Sequence, residues 1–130
     1  MNGQVNFYTN KIMLQVKKAS DQSLAAIAHR IEERAKNNVV DNDQIDTGAM
    51  LNGIYVVTAE GTDYSQARAA AEARNPDAQM GSQVSLGNAG AAVVAGMEYS
   101  IYQEMQRSFL YKAAEDTAKE VDGLIKQIKD

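Results

Sequence analysis

The sequence predicts an α+β fold: an antiparallel sheet of three to four strands, with a long N-terminal helix and a C-terminal helix packed on one face. Apolar residues recur every three to four positions near both ends of the chain, which is typical of helices. Glycine-bounded, β-branched runs lie between them, so the order is helix, strands, helix. With 130 residues, of which 45% are hydrophobic, the chain fits a single domain over residues 1–130.

The first helix is predicted over residues 10–39. Its apolar positions form one stripe made of Ile12, Val16, Ala19, Leu24, Ile27, Ile31 and Ala35. Ser20-Asp21 is also compatible with a break and the cap of a second helix. The continuous stripe favours one helix, kinked at that point.

Strands are predicted over 53–60 and 91–98, where IYVV and AAVV supply β-branched and aromatic residues. The connection between them, 62–90, is long for a small domain, which is typical of functional or mobile segments. Its Ala-, Glu- and Arg-rich part predicts a helix over 65–74 that Pro76 stops. A short strand is predicted over 84–87 before the Gly-Asn-Ala-Gly turn.

Two helices are predicted after the last strand. Residues 99–105 form a short one that exposes Glu104, and residues 109–129 form the clearest helix of the chain, with Ser108 as its N-cap. Its buried face is predicted to contain Leu110, Ala113, Ala114, Thr117, Val121, Leu124, Ile125 and Ile128.

Composition narrows the classes of function. The net charge is −4 and no Lys/Arg cluster is visible, which disfavours nucleic-acid binding or a regulatory module that reads DNA. Net charge is positive in residues 1–40 and negative in 41–108. Solvated surface charge is the favoured interpretation of this split, and steering of self-association or partner docking is the alternative.

Other residue types disfavour further classes of site. The absence of Cys removes thiolate ligands and suits assembly in a reducing cytosol, and His29 is the only histidine, so neither a metal nor a cofactor site is predicted. No apolar window is long enough for a membrane span or a signal peptide, which predicts a soluble protein.

Asp46-Thr47-Gly48 has two interpretations. The three residues also form the signature of aspartic proteases, which in the small homodimeric type bring together one carboxylate from each subunit. That enzyme is almost entirely β, however, whereas here the signature lies between two long helical patterns. The favoured alternative is a turn in which Asp46 or Thr47 caps a short helical segment through Leu51, ahead of the strand.

Four short boxes follow one another in an order found in a group of tailed-phage proteins. A helix rich in Ala, Lys and Glu (IAHRIEERAKNNV) precedes DTGAMLNGI, which resembles a DTG-x-L-x-x-S-I box. YSIYQEMQ resembles Y-A-x-Y-x-E-x-G, and SFLYKAA resembles P-F-L-x-x-A. Over roughly residues 25–125, the chain therefore resembles the HK97 gp10-like neck or tail-completion proteins of phages and prophages. The positions taken as matched are Asp46, Thr47, Gly48, Leu51, Ile54, Tyr99, Tyr102, Glu104, Phe109, Leu110 and Ala113, of which Leu51 lies one place after the Leu of the box.

The resemblance implies a structural virion protein with no enzymatic activity and no cofactor. Such a protein lies at the head–tail junction or tail end, is assembled in the bacterial cytoplasm, and joins head-closure or connector proteins to tail-tube or tail-terminator proteins as a ring of identical subunits. Leu51, Ile54, Tyr99, Phe109 and Leu110 are expected as buried pins between helices and sheet. Four positions depart from the boxes: Met50 stands at the place of the box Leu, and Gly53, Gln106 and Ser108 stand where Ser, Gly and Pro are common.

Overall fold

A computed structural model describes residues 10–14, 20–44, 48–77 and 79–120 of the chain. Those residues form a mixed α+β structure built on a four-stranded antiparallel sheet, with the strands in the spatial order β1-β4-β2-β3. The strands are β1 (Asn10–Leu14), β2 (Ile54–Thr58), β3 (Gly61–Thr62) and β4 (Ala91–Ala95). The helices are α1 (Asp21–Asp41), α2 (Ala49–Asn52), α3 (Tyr64–Arg74), α4 (Ser100–Gln106) and α5 (Leu110–Glu120). The predicted fold class is confirmed.

β4 is the centre of the sheet. It pairs with β1 on one side, where Asn10 faces Ala95, and with β2 on the other, where Ile54 faces the same Ala95. All five β4 residues are buried, because the sheet is covered on both faces at this strand. Small Ala and β-branched Val side chains suit a strand enclosed in this way.

The predicted single helix over 10–39 is wrong at its start. Residues 10–14 form β1, in which Ile12 and Leu14 join the core while Lys11 and Met13 point to the opposite face. The helix begins after Ser20, whose Oγ accepts the N–H of Ser23 at 3.1 Å. Ile12 fits the three- to four-residue spacing of a helix, although residues 10–14 alternate with the period of two that is typical of a strand. The Ser20 cap indicated the start of the helix correctly. Residues 15–19, with Val16 and Ala19, lie outside the described residues.

α1 and α5 pack on one face of the sheet. The apolar stripe of α1 is buried there as predicted, at Leu24, Ile27, Ile31 and Ala35. From α5, Leu110, Ala113 and Thr117 are buried and Ala114 is half-buried. The predicted continuation through Val121, Leu124, Ile125 and Ile128 lies outside the described residues.

The other face of the sheet is covered by the 62–90 connection. Its helix, α3, ends at Arg74, and Asn75 turns to an extended conformation immediately before Pro76, as predicted. The predicted strand at 84–87 is absent from the described structure. The Val84 N–H donates instead to the Tyr55 hydroxyl at 3.1 Å, and the Tyr64 hydroxyl donates to the Gly81 carbonyl at 2.9 Å. Two tyrosines thus hold an irregular segment where the apolar Val84 and Leu86 suggested a strand.

Candidate functional site

The most elaborate group of polar contacts lies where α4 meets α5. We call residues 102–111 the α4–α5 corner. Glu104 is only 8% exposed, so the prediction that α4 would expose it is wrong. No cation lies within ion-pair distance of its carboxylate in the described part of the chain. Hydrogen bonds must therefore replace the water lost by this charged group.

The Glu104 carboxylate caps the start of α5. It accepts the N–H groups of Leu110 at 2.9 Å and Tyr111 at 3.2 Å, and also the hydroxyl of Ser108. The first N–H groups of a helix have no partner inside the helix and carry partial positive charge, so a carboxylate is favoured there. It also accepts the side-chain amide of Asn10 at 3.3 Å, which joins β1 to the same cap.

Ser108 completes the cap, as predicted. Its Oγ accepts the N–H of Lys112 at 3.1 Å, so the first three N–H groups of α5 all have acceptors. A proline, common in the family box at this position, would offer no hydroxyl. The hydroxyl of Ser108 is thus part of the cap that this chain uses.

Carbonyl groups of the corner are satisfied from a third element, the end of α1. Side-chain amides donate in four hydrogen bonds: Asn38 to Phe109 at 3.0 Å, Asn42 to Ser108 at 3.1 Å, and Gln44 to Gln103 at 3.0 Å and to Arg107 at 3.1 Å. The Arg107 guanidinium donates in return to the Asn42 carbonyl at 3.2 Å. The corner is therefore fixed in place by α1, α4, α5 and β1 together.

Large apolar side chains are exposed on the outer side of the corner, beside the polar Gln106 and Arg107. Tyr102 is 66% exposed and Met105 is 78% exposed, and their spacing of three residues places them on one face of α4. Tyr99 and Tyr111 are also exposed, so the prediction that Tyr99 is a buried pin is wrong, whereas Phe109 and Leu110 are fully buried as expected. Partial burial, and secondarily the Glu104 charge, raise the pKa of Tyr111.

The Asp46-Thr47-Gly48 box is described only in part. Asp46 and Thr47 lie outside the described residues, so the predicted cap from either side chain does too. Gly48 has φ +88°, a conformation that favours glycine, and it precedes the predicted short helix, α2. The Asn52 side chain donates to the Gly48 carbonyl at 2.7 Å, which closes this turn ahead of β2.

The other positions of that box belong to the core. Ile54 is fully buried and Leu51 is half-buried against the main cluster. Gly53, where the family box has Ser, is closely surrounded: a Cβ there would lie 3.2 Å from the Ala49 carbonyl and from Met97 Cγ. The structure thus brings Tyr102, Glu104, Phe109 and Leu110 together at the corner and places Gly48, Leu51 and Ile54 at the entry to β2.

Sequence reasoning missed the amide donors of the corner, Asn10, Asn38, Asn42 and Gln44. The signal was a run of Asn and Gln where α1 ends, which suggested only a loop. Asn38, Asn42 and Gln44 donate to carbonyl groups about sixty residues or more away along the chain, and the local spacing of residues does not reveal such hydrogen bonds.

Residues 10–14, 20–44, 48–77 and 79–120 contain no group of three His, Asp or Glu side chains that could hold a metal ion. No helix in those same ranges has the length and apolar character that crossing a bilayer requires. The hollow between α1 and α5 is open and lined by the polar residues Arg34, Asn37, Asn38, Asp116 and Glu120. The chain matches no protein-family model, and comparisons with curated proteins and with solved structures give no match.

Proposed function

We propose that this chain is a non-enzymatic structural protein of a tailed phage or prophage, of the neck or tail-completion type. It joins head-closure or connector proteins to tail-tube or tail-terminator proteins through protein–protein contacts, as a ring of identical subunits. The proposal begins from the resemblance of the four boxes and depends on what two of those boxes do in the fold.

The observation that carries the proposal is the Glu104 cap. It joins the YSIYQEMQ box to the SFLYKAA box through direct hydrogen bonds from Leu110 and Tyr111. A buried carboxylate used in this way is fully occupied by structural donors and offers no group for catalysis. Its effect is to hold Tyr102 and Met105 outward on a rigid support.

A rigid support with exposed Tyr and Met is suited to binding another protein. Tyr and Met are enriched in protein interfaces, and ordering them in advance lowers the entropy cost of association. A structural protein of a virion needs such a surface more than it needs a deep pocket. The protease alternative has no comparable support, since helices supply most of the packing around this four-stranded sheet.

Purified particles provide the test. Phage particles released from the bacterium that carries the gene are banded on a density gradient, and the chain is sought by mass spectrometry and by gold-labelled antibody. We expect the chain in every particle, with gold at the head–tail junction or tail end. Absence from intact particles, or label spread over the head shell, contradicts the proposal.

Deletion of the gene gives a second readout. We expect full heads and separate tails that do not join, and the intact gene supplied in trans restores joined particles. A Tyr102→Ser, Met105→Ser chain supplied in the same way is expected to fail. A matched Gln66→Ser chain, changed at an exposed position of α3, is expected to succeed.

A further inference from the structure

The positive charge of α1 is already used inside the subunit. Arg30 pairs with Glu33 and Glu120, and Arg34 pairs with Glu120. Lys36 pairs with Glu32. The Arg34 and Arg30 guanidinium groups hold the pKa of Glu120 below its ordinary value. The cations of α1 are therefore poor candidates for attracting the acidic part of a neighbouring subunit, contrary to the expectation from charge distribution alone.

Unpaired acidic groups lie at both ends of α4. Glu98 is exposed just before the helix, and Asp43 is exposed beside its other end, where it lines a shallow depression with Gln106 and Arg107. Neither carboxylate forms an ion pair within the described ranges. Together with Tyr102 and Met105 they form an apolar surface with an acidic rim, in which the exposed Arg107 is a cation beside Asp43. We call this surface the α4 patch.

A surface of complementary character lies on β1. Lys11 and Met13 project from the sheet face opposite α1 and α5, because alternate residues of a strand point to opposite faces. The 62–90 connection covers Ala92 and Val94 of β4 on that face but leaves Met13 37% exposed on the neighbouring strand. Lys11 has no ion-pair partner among the residues described. We call Lys11 and Met13 the β1 patch.

We propose that the α4 patch of one subunit binds the β1 patch of a second copy of this chain. Met13 would pack on Tyr102 and Met105, and Lys11 would pair with the acidic rim, which joins an apolar-acidic surface to an apolar-basic one. The contact joins unlike surfaces, so repetition of it closes a ring or extends a filament. This inference rests on the proposed function, since it assigns the contact by which the ring forms.

Engineered cysteines test the contact directly, because the natural chain contains none and gives no background. One chain carries Met13→Cys and another Tyr102→Cys, both at exposed positions where folding is not at risk. Mixed under mild oxidation, the two are expected to form a disulfide-linked dimer, whereas each variant alone is not. Met13→Cys mixed with Gln66→Cys serves as the matched control and is expected to remain unlinked.

A charge exchange gives an independent readout. Lys11→Glu and Glu98→Lys are each expected to weaken self-association about tenfold, and the chain with both changes recovers most of the loss. Sedimentation equilibrium measures the association constant. Lys119→Glu, which alters an exposed cation of α5, is the control and is expected to leave it unchanged.

The outcomes separate the inference from the proposed function. Two outcomes overturn the assigned contact even if the chain is found in virions. In one, the Tyr102→Cys chain forms disulfide-linked dimers with itself. In the other, oligomers form but the Met13 and Tyr102 cysteines stay unlinked. Failure of the exchanged pair to recover association overturns it as well. Absence of the chain from particles contradicts the virion role, whatever the cysteines do.

Discussion

The two long helices of this molecule begin in different ways. α1 begins with a local cap, in which Ser20 accepts the N–H of Ser23 three residues later. α5 begins with a carboxylate that belongs to another helix, Glu104 of α4, and that also binds Asn10 of β1. The first cap stabilises one helix. The second couples two helices and an edge strand, so its loss affects the corner as a whole.

The difference implies that an exposed surface, here the proposed contact surface, can depend on a residue that is itself buried. Tyr102 and Met105 are the most exposed large apolar side chains of the corner, but the buried Glu104 between them determines how α4 sits on α5. A contact surface supported by a local helix cap would keep its position when residues nearby are substituted. A contact surface supported by a carboxylate that several elements share would lose its position.

The largest effect is expected from Glu104→Ala. The change leaves the N–H groups of Leu110 and Tyr111 and the Asn10 amide without their acceptor, and it removes a charge that suits the helix start. We expect a loss of about 3 kcal/mol in the free energy of unfolding. Urea unfolding followed by circular dichroism measures it.

Glu104→Gln is the control for this prediction. It keeps an acceptor oxygen but not the charge, so a loss about half as large is expected. A loss under about 0.5 kcal/mol for Glu104→Ala, the range of ordinary surface changes, would show that the cap does not hold the corner.

Ser20→Ala is expected to have a smaller effect, a loss of about 1 kcal/mol, as for other exposed N-caps. Ser20→Asp, which restores an acceptor, should recover it. The same unfolding measurement applies, and the ratio between the Glu104 and Ser20 losses sharpens the comparison. Equal losses would mean that the shared carboxylate acts only as a local cap.

The contrast between a local helix cap and a shared one also explains which parts of the fold could be predicted from the sequence. Ser108 was predicted as a cap and Ser20 was considered as one, although a single helix was favoured there, because a cap lies within four residues of the N–H that it binds. The burial of Glu104 was not, since its partners come from Asn10 and from a helix that begins six residues later. β1 was missed for a related reason: a five-residue edge strand is recognised by its pairing with β4, not by its own spacing.

The connection 62–90 shows the same limit. Ala-rich α3 and its end before Pro76 follow from local propensity, so both were predicted correctly. Val84 does not form a strand because its N–H donates to the hydroxyl of Tyr55, which lies 29 positions earlier in the sequence. The side-chain amides that join the α4–α5 corner to the end of α1 were not predicted for the same reason, since their acceptors also lie far away in the sequence.

A further prediction concerns the C-terminal part of α5, where Glu120 pairs with Arg34 and Arg30 of α1. The pKa of Glu120 is lowered by these partners, so the pair contributes stability above the ordinary carboxyl pKa and loses it as the pH falls through the lowered value. The contribution is small because the side chains are exposed. Unfolding free energies measured from pH 7 down to about 3 should fall less steeply for Glu120→Gln than for the natural chain.

If Glu120→Gln leaves the dependence of the unfolding free energy on pH unchanged, groups other than Glu120 cause the loss of stability in acid. Glu115→Gln is the matched control, since Glu115 is an exposed residue of α5 that forms no ion pair within the described ranges. We expect its slope to equal that of the natural chain.

The smallest effect is expected from Asp46→Asn, which separates the structural role from the protease alternative. Asn and Asp cap helices about equally well, so a turn that uses Asp46 as an acceptor should survive the change with a loss near zero. An aspartic protease would lose its activity, because a side-chain amide cannot share the proton that two carboxylates hold between them. Particle assembly supported by the Asp46→Asn chain in trans is therefore expected to equal that of the natural chain. Assembly abolished by Asp46→Asn, with stability unchanged in urea, would instead require the carboxylate for chemistry.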